Sequence, residues 1–160
     1  MAELSHAAGL AYRSAGDSED RIVLLVHGYP ESSYMWHDVL PVLANAGWRA
    51  LAPDLPGYGD SEPEARPGAG TWERHVEALD SFARELELGP VALVTHDWGV
   101  MIGLRWACEH PGAVNARNDP DCGAPLAERP RVSVAHFWFL SNCLTSGRQF
   151  DNDHRCACEA

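Results

Sequence analysis

Apolar positions follow two rhythms along the first two-thirds of the chain. Ile22-Val23-Leu24-Leu25-Val26 is an unbroken apolar run, β-branched at three of five places. Such a run must be covered on both faces, which predicts a central parallel strand. It closes on the turn signal His27-Gly28-Tyr29-Pro30. Trp48 to Ala52 and Val91 to Val94 read as two further strands, and Leu10 to Arg13 as an early edge strand. Between them the spacing becomes helical. Tyr34, Met35, Trp36, Val39, Leu40, Leu43 and Ala44 predict a helix within 33–46 that stops at Gly47. Pro41 belongs near the first turn of its main part, because a proline in mid-helix costs about 3 kcal/mol. In Thr71 to Leu88, Val76, Leu79, Phe82, Ala83 and Leu86 share one face and Glu and Arg the other. Trp98 to Glu109 is apolar on most sides, predicting a helix buried against the sheet.

Strand, helix, strand, helix, strand, helix is the order of an α/β protein. It predicts a mostly parallel sheet with helices on both faces and right-handed crossovers. The rhythm fails after residue 114. Asn115-Ala116-Arg117-Asn118-Asp119-Pro120-Asp121-Cys122-Gly123 is turn-like where the next buried strand is expected, and only Val132 to Leu140 has strand character. The chain therefore divides into a patterned part, 1–114, and an irregular tail, 115–160. A change of reading frame, a spliced or truncated product and an unusual natural tail are all open readings of it. A sheet without its later strands exposes an apolar flank, which predicts self-association.

Composition changes this picture mainly by exclusion. Lys plus Arg number 12 against 23 Asp plus Glu, a formal charge of −11. A nucleic-acid partner is not expected, since a basic face is missing, and an anionic membrane surface is disfavoured for the same reason. No apolar stretch nears the ~18 residues of a membrane span. The start, Met1 to His6, has no basic cluster followed by an apolar run, so a secretory signal is not expected and a cytoplasmic location is the default. The 5 Cys, four of them after residue 120, are a poor disulfide framework. His154-Arg155-Cys156-Ala157-Cys158 has metal-ligand residue types but a spacing tighter than zinc sites use. Neither a metal nor a cofactor is assigned.

The chemistry gathers where strands end. Val91-Ala92-Leu93-Val94-Thr95-His96-Asp97-Trp98-Gly99 is a strand, an acid in a sharp turn, and the start of a helix. A nucleophile on such a turn needs small neighbours, because its backbone is strained. The helix N-terminus behind it favours an ionised carboxylate, and its peptide N–H groups can hold an oxyanion. A simple helix N-cap is the bland alternative for Asp97. Two further loops weigh against it: His27-Gly28-Tyr29-Pro30 after the first buried strand, and Asp54-Leu55-Pro56-Gly57-Tyr58-Gly59-Asp60-Ser61 after the second. All three converge on one edge of a parallel sheet.

Taken in order, HGYPESSYMW, DLPGYGDSE and THDWG resemble the α/β-hydrolase superfamily, in its branch of epoxide hydrolases and haloalkane dehalogenases. The resemblance runs from about Arg21 to about Val114. It implies the N-terminal portion of an α/β-hydrolase fold acting on a small apolar substrate. It implies that Asp97 attacks carbon and forms an alkyl-enzyme ester, with the backbone N–H groups of Tyr29 and Trp98 as oxyanion hole. His27, Gly28 and Pro30 would shape that loop, and Trp98 would offer its indole N–H to a halide or line an epoxide pocket. An aromatic residue after His-Gly, here Tyr29, leans towards epoxides; haloalkane dehalogenation is the alternative. Val100 stands where many relatives have another Gly. The family's cap, its later acid and its C-terminal His are not recognisable. Asp119, Asp121, His136 and His154 lie in the unmatched tail, and neither base nor acid is assigned. His96 reads as a packing or loop residue, and Asp54 as closing its own loop. A reading of another class follows from the missing His: a catalytically incomplete remnant, or a binding or assembly partner.

Overall fold

The computed structural model describes residues 2–62 and 72–115. Five strands, β1 (Glu3–Ala7), β2 (Leu10–Ala15), β3 (Ile22–Val26), β4 (Arg49–Pro53) and β5 (Ala92–Thr95), form one sheet in the order β1-β2-β4-β3-β5. The helices are α1 (Val39–Asn45), α2 (Trp72–Glu85) and α3 (Trp98–Glu109). β3 pairs parallel with β4 on one side and with β5 on the other. β1 and β2 are antiparallel additions, so the sheet is mixed but parallel at its centre. The expected tail, 115–160, lies outside the described residues beyond Asn115.

All five residues of β3 are buried, and they alternate between two cores. Ile22, Leu24 and Val26 join Leu51, Val76, Leu79, Phe82, Ile102 and Trp106 under α2 and α3. Val23 and Leu25 join Ala50, Ala52, Trp36 and Leu40 under α1. Helices thus cover both faces, as the unbroken apolar run demanded. Each fully buried Leu or Val contributes about 1.5–3 kcal/mol.

Three local expectations are corrected. Leu10 to Arg13 belongs to a strand, but not at the edge, since β1 lies outside it. A two-residue turn, Ala8-Gly9, with φ of 50° and 78°, joins the two. Residues 33–46 do not form one helix. A 3-10 turn at Ser33–Trp36 precedes α1, with Pro41 in the first turn of α1 where its missing N–H costs nothing. α1 ends in a Schellman arrangement: Trp48 N–H donates to Leu43 and Gly47 N–H to Ala44, with Gly47 at φ 79°. α3 is not buried on most sides. Gly99, Ile102, Gly103, Trp106 and Ala107 face the protein, while Trp98 and Met101 are 57% and 60% exposed.

α3 approaches the sheet closely because it carries glycine where it crosses. A Cβ on Gly99 would stand 2.5 Å from the carbonyl oxygens of both Val26 and His27, and one on Gly103 2.7 Å from Thr95 Cγ2. Asp80 of α2 ties the two outer helices together, accepting from the Trp106 indole at 3.4 Å and lying 3.2 Å from His110 Nε2. After α3 the chain comes back beside β5. Val91 N–H donates to Ala113 and Asn115 N–H to Val91, a parallel bridge between Val91 and Val114.

Candidate active site

β3, β4 and β5 run in one direction, so the loops that follow them gather at one edge. The turn from β5 to α3 places Asp97 at φ 50°, ψ −125°, a conformation that non-glycine residues avoid. Asp97 stands at the N-cap position of α3, but its side chain makes no capping hydrogen bond. Instead Asp97 Oδ1 accepts the Tyr29 N–H at 3.0 Å across the gap between two loops. The backbone N–H of Trp98 and then that of Tyr29 hold the Asp97 carboxyl below its ordinary pKa of 3.8. Partial desolvation opposes them, and His96 adds a smaller pull downward. The carboxylate is therefore exposed and ionised, seated on two N–H donors.

Small residues make this seat. A Cβ on Gly28 would lie 2.7 Å from Asp97 Cβ, Asp97 Oδ1 and the His96 carbonyl. Only glycine lets the His27–Pro30 loop pass so near. His27 is fully buried and spans two loops. Its Nε2 accepts the Leu55 N–H at 2.9 Å, which leaves the proton on Nδ1 to donate to the Gly28 carbonyl at 2.9 Å. Burial pushes the His27 pKa below 6.5, against smaller opposing contributions from the Gly28 bond, Asp54 and Glu31. Pro30 follows Tyr29 through a cis peptide. Each of the residues singled out in the sequence, Asp97, Tyr29, Trp98, His27, Gly28 and Pro30, stands at this one edge.

A pocket of about 690 Å³ opens beside the seat, lined among others by Tyr29, Leu55, Tyr58, Trp72, Trp98 and Ile102. Its wall is mainly aromatic and aliphatic, with Glu73 and His75 as polar members. Tyr58, Trp72, Glu73 and His75 were not anticipated. Glu and His on the amphipathic α2 look like ordinary surface residues until the fold turns that end of the helix towards the loops. His96 donates its N–H to the Val26 carbonyl at 3.0 Å, in keeping with a loop role. Asp119, Asp121, His136, His154, Cys156 and Cys158 lie outside the described residues. No helix among the described residues is long and apolar enough to cross a membrane.

Comparison with known proteins supplies the lineage. The sequence model of the alpha/beta hydrolase fold family matches residues 21–116, more than half of the chain. The chain is 37% identical over 127 residues to a haloalkane dehalogenase of Mycobacterium marinum, covering 79% of this chain and 43% of that protein. It is 38% identical over 108 residues to epoxide hydrolase 3 of Siraitia grosvenorii, covering 68% of this chain and 34% of the relative. A solved epoxide hydrolase from Vigna radiata superposes with a TM-score of 0.63 at 31% identity, over 71% of this chain and 37% of that one. The chain thus spans less than half the length of these relatives. With the parallel sheet, the strained acid between β5 and α3 and a family match across both, the chain belongs to the α/β-hydrolase fold family and is related to haloalkane dehalogenases and epoxide hydrolases.

Proposed function

We propose that this chain carries the nucleophilic part of a hydrolase that opens small apolar epoxides through an alkyl ester on Asp97. The observation that carries the reading is the Asp97 carboxylate itself, strained at φ 50° and accepting the Tyr29 N–H. One carboxylate oxygen rests on the donors. The other forms a bond to an sp³ carbon as the epoxide C–O bond breaks, its electron pair leaving with the oxygen, which takes up a proton. Water then adds to the ester carbonyl carbon. Charge gathers on the oxygen held by the Tyr29 and Trp98 N–H groups, and the alcohol departs. That second step needs a base. His27 cannot serve, because both its ring nitrogens are bonded to backbone. We assign the base and its partner acid to none of the described residues.

The same seat suits displacement of halide from a haloalkane, and the dehalogenase relative matches more of the chain. Tyr29 after His-Gly supports the epoxide, and Trp98 at the pocket suits either leaving group. Mass spectrometry separates the readings. The full chain incubated with a small apolar epoxide should gain the whole mass of the epoxide on the peptide that contains Asp97. With a haloalkane it would gain the alkyl group and release halide. Asp97→Asn should abolish either adduct. A folded protein that takes up neither would support the remaining reading, a binding or assembly partner without chemistry.

A further inference from the structure

Two consecutive residues after β4 grip the loop that faces Asp97 at both of its ends. Asp54 is fully buried. Its Oδ1 accepts the Ser33 N–H at 2.5 Å and its Oδ2 the Asp60 N–H at 2.9 Å. Its own N–H donates to the Ala11 carbonyl, and its carbonyl accepts the Ser61 hydroxyl, whose oxygen accepts the Ala11 N–H in turn. Gly59, at φ 55°, lies against the carboxylate so tightly that a Cβ there would stand 2.3 Å from Asp54 Cγ. The carboxylate therefore has no room to swing. Next in the chain, Leu55 donates its N–H to His27 Nε2. The segment 27–33 is thus pinned at His27 and at Ser33 by one rigid turn, and Tyr29 lies between the pins.

We infer that Asp54 is a positioning residue for the Asp97 site: by holding the Ser33 N–H it sets where the Tyr29 N–H stands against the Asp97 carboxylate. Closure of its own loop accounts for the bond to Asp60 alone. The bond to Ser33 reaches back to the loop after β3, and a loop-closing role does not require it. The significance for catalysis rests on the proposed role of Asp97; the clamp itself rests only on these contacts.

The test uses the full chain and two variants that break the clamp from opposite sides. Asp54→Asn keeps the shape but presents an amide nitrogen to one of two N–H donors, which it cannot accept. Ser33→Pro removes the donated N–H. The backbone suits proline there, because Ser33 opens a 3-10 turn and Ser32, at φ −141° and ψ 179°, has the extended conformation required before proline. Ser33→Ala retains the N–H. The primary readout is the titration of the Asp97 carboxyl by 13C NMR, with circular dichroism and urea unfolding to confirm the fold. In Asp54→Asn and Ser33→Pro the Asp97 carboxyl should titrate at higher pH, moving back towards 3.8 as the Tyr29 donor drifts. In Ser33→Ala it should titrate as in the parent. Ester formation should slow about 10- to 100-fold in its saturating rate, the scale of a small misplacement at a reacting centre. Folded Asp54→Asn and Ser33→Pro proteins with an unmoved Asp97 titration would overturn the inference. Loss of the fold in both would also overturn it, since Asp54 would then determine the fold rather than the loop. If the parent forms no ester, the proposed function fails, while the titration still decides the clamp.

Discussion

Replacing Gly99 by alanine tests a close crossing of helix over sheet that shapes the site. The added Cβ would stand 2.5 Å from the carbonyl oxygens of Val26 and His27, about 0.9 Å short of the 3.4 Å at which ordinary contact begins. Both obstacles are backbone, one of them in the buried β3 strand, so the helix must give way instead. Overpacking of this kind costs about 1–3 kcal/mol. Alanine recovers at most about 1 kcal/mol of helix propensity. The net expectation is a loss of about 1–2 kcal/mol in urea unfolding. The same retreat carries Asp97, two residues upstream, away from Tyr29. A 3.0 Å bond lengthened by that amount is no longer a hydrogen bond. Ester formation on Asp97 should therefore fall by about 100-fold, more than the stability loss alone would cause. Gly89→Ala is the control, because nothing lies within 4 Å of its added Cβ. A Gly99→Ala protein as stable as Gly89→Ala, with the Asp97 titration unchanged, would refute the close crossing of α3 over β3.

His27 is buried with a lowered pKa, so the unfolded chain binds its proton at higher pH than the folded one. Stability should be constant above the unfolded value of 6.5 and fall below it, by about 1.4 kcal/mol per pH unit, until the lowered folded value is reached. Urea midpoints from pH 8 to 5 measure this, and a His27→Gln protein with the same slope would place its origin elsewhere. Asp97 acts in the same direction in a lower window. Its lowered pKa keeps it ionised below 3.8, so any stability it contributes is full above 3.8, declines as the pH falls below it and is gone beneath the folded value. Aspartate carboxyl NMR should find Asp97 titrating below 3.8, and a value at or above 3.8 would remove the two-donor seat.

The parts of the fold legible in the sequence are those where one residue's neighbours in the chain are also its constraint. The run Ile22 to Val26 announces two covered faces, and α2 shows its buried stripe at Val76, Leu79, Phe82 and Ala83. The acid at Asp97 is flanked by its own small neighbour and its own helix. β1 was invisible for the converse reason. Glu3 to Ala7 mixes polar and small residues, mostly exposed, and becomes a strand because β2 offers it a partner. Its turn is Ala8-Gly9, not the Asn-Gly or Asp-Gly that marks such hairpins. The exposed side of α3 is not legible in the sequence, because its apolar residues, Trp98 and Met101 among them, do not declare which of them face the sheet. In the site, the residues were legible but their bonds were not. That Leu55 meets His27, or Ser33 meets Asp54, depends on β3 and β4 lying side by side, which no spacing within either loop encodes.

In the sheet order β1-β2-β4-β3-β5, the chain leaves β3 towards one side to make β4, then crosses back to make β5 on the other. The loops that leave β3 and β5 must therefore part company, and a crevice opens between them. Its origin is the path of the chain and not the choice of side chains around it. Position and taste are separable in such a design. The place of Asp97 is inherited from strand order, while the walls at Tyr29, Tyr58, Trp72 and Trp98 can be exchanged one by one. A lineage built this way can reshape its walls without moving its acid.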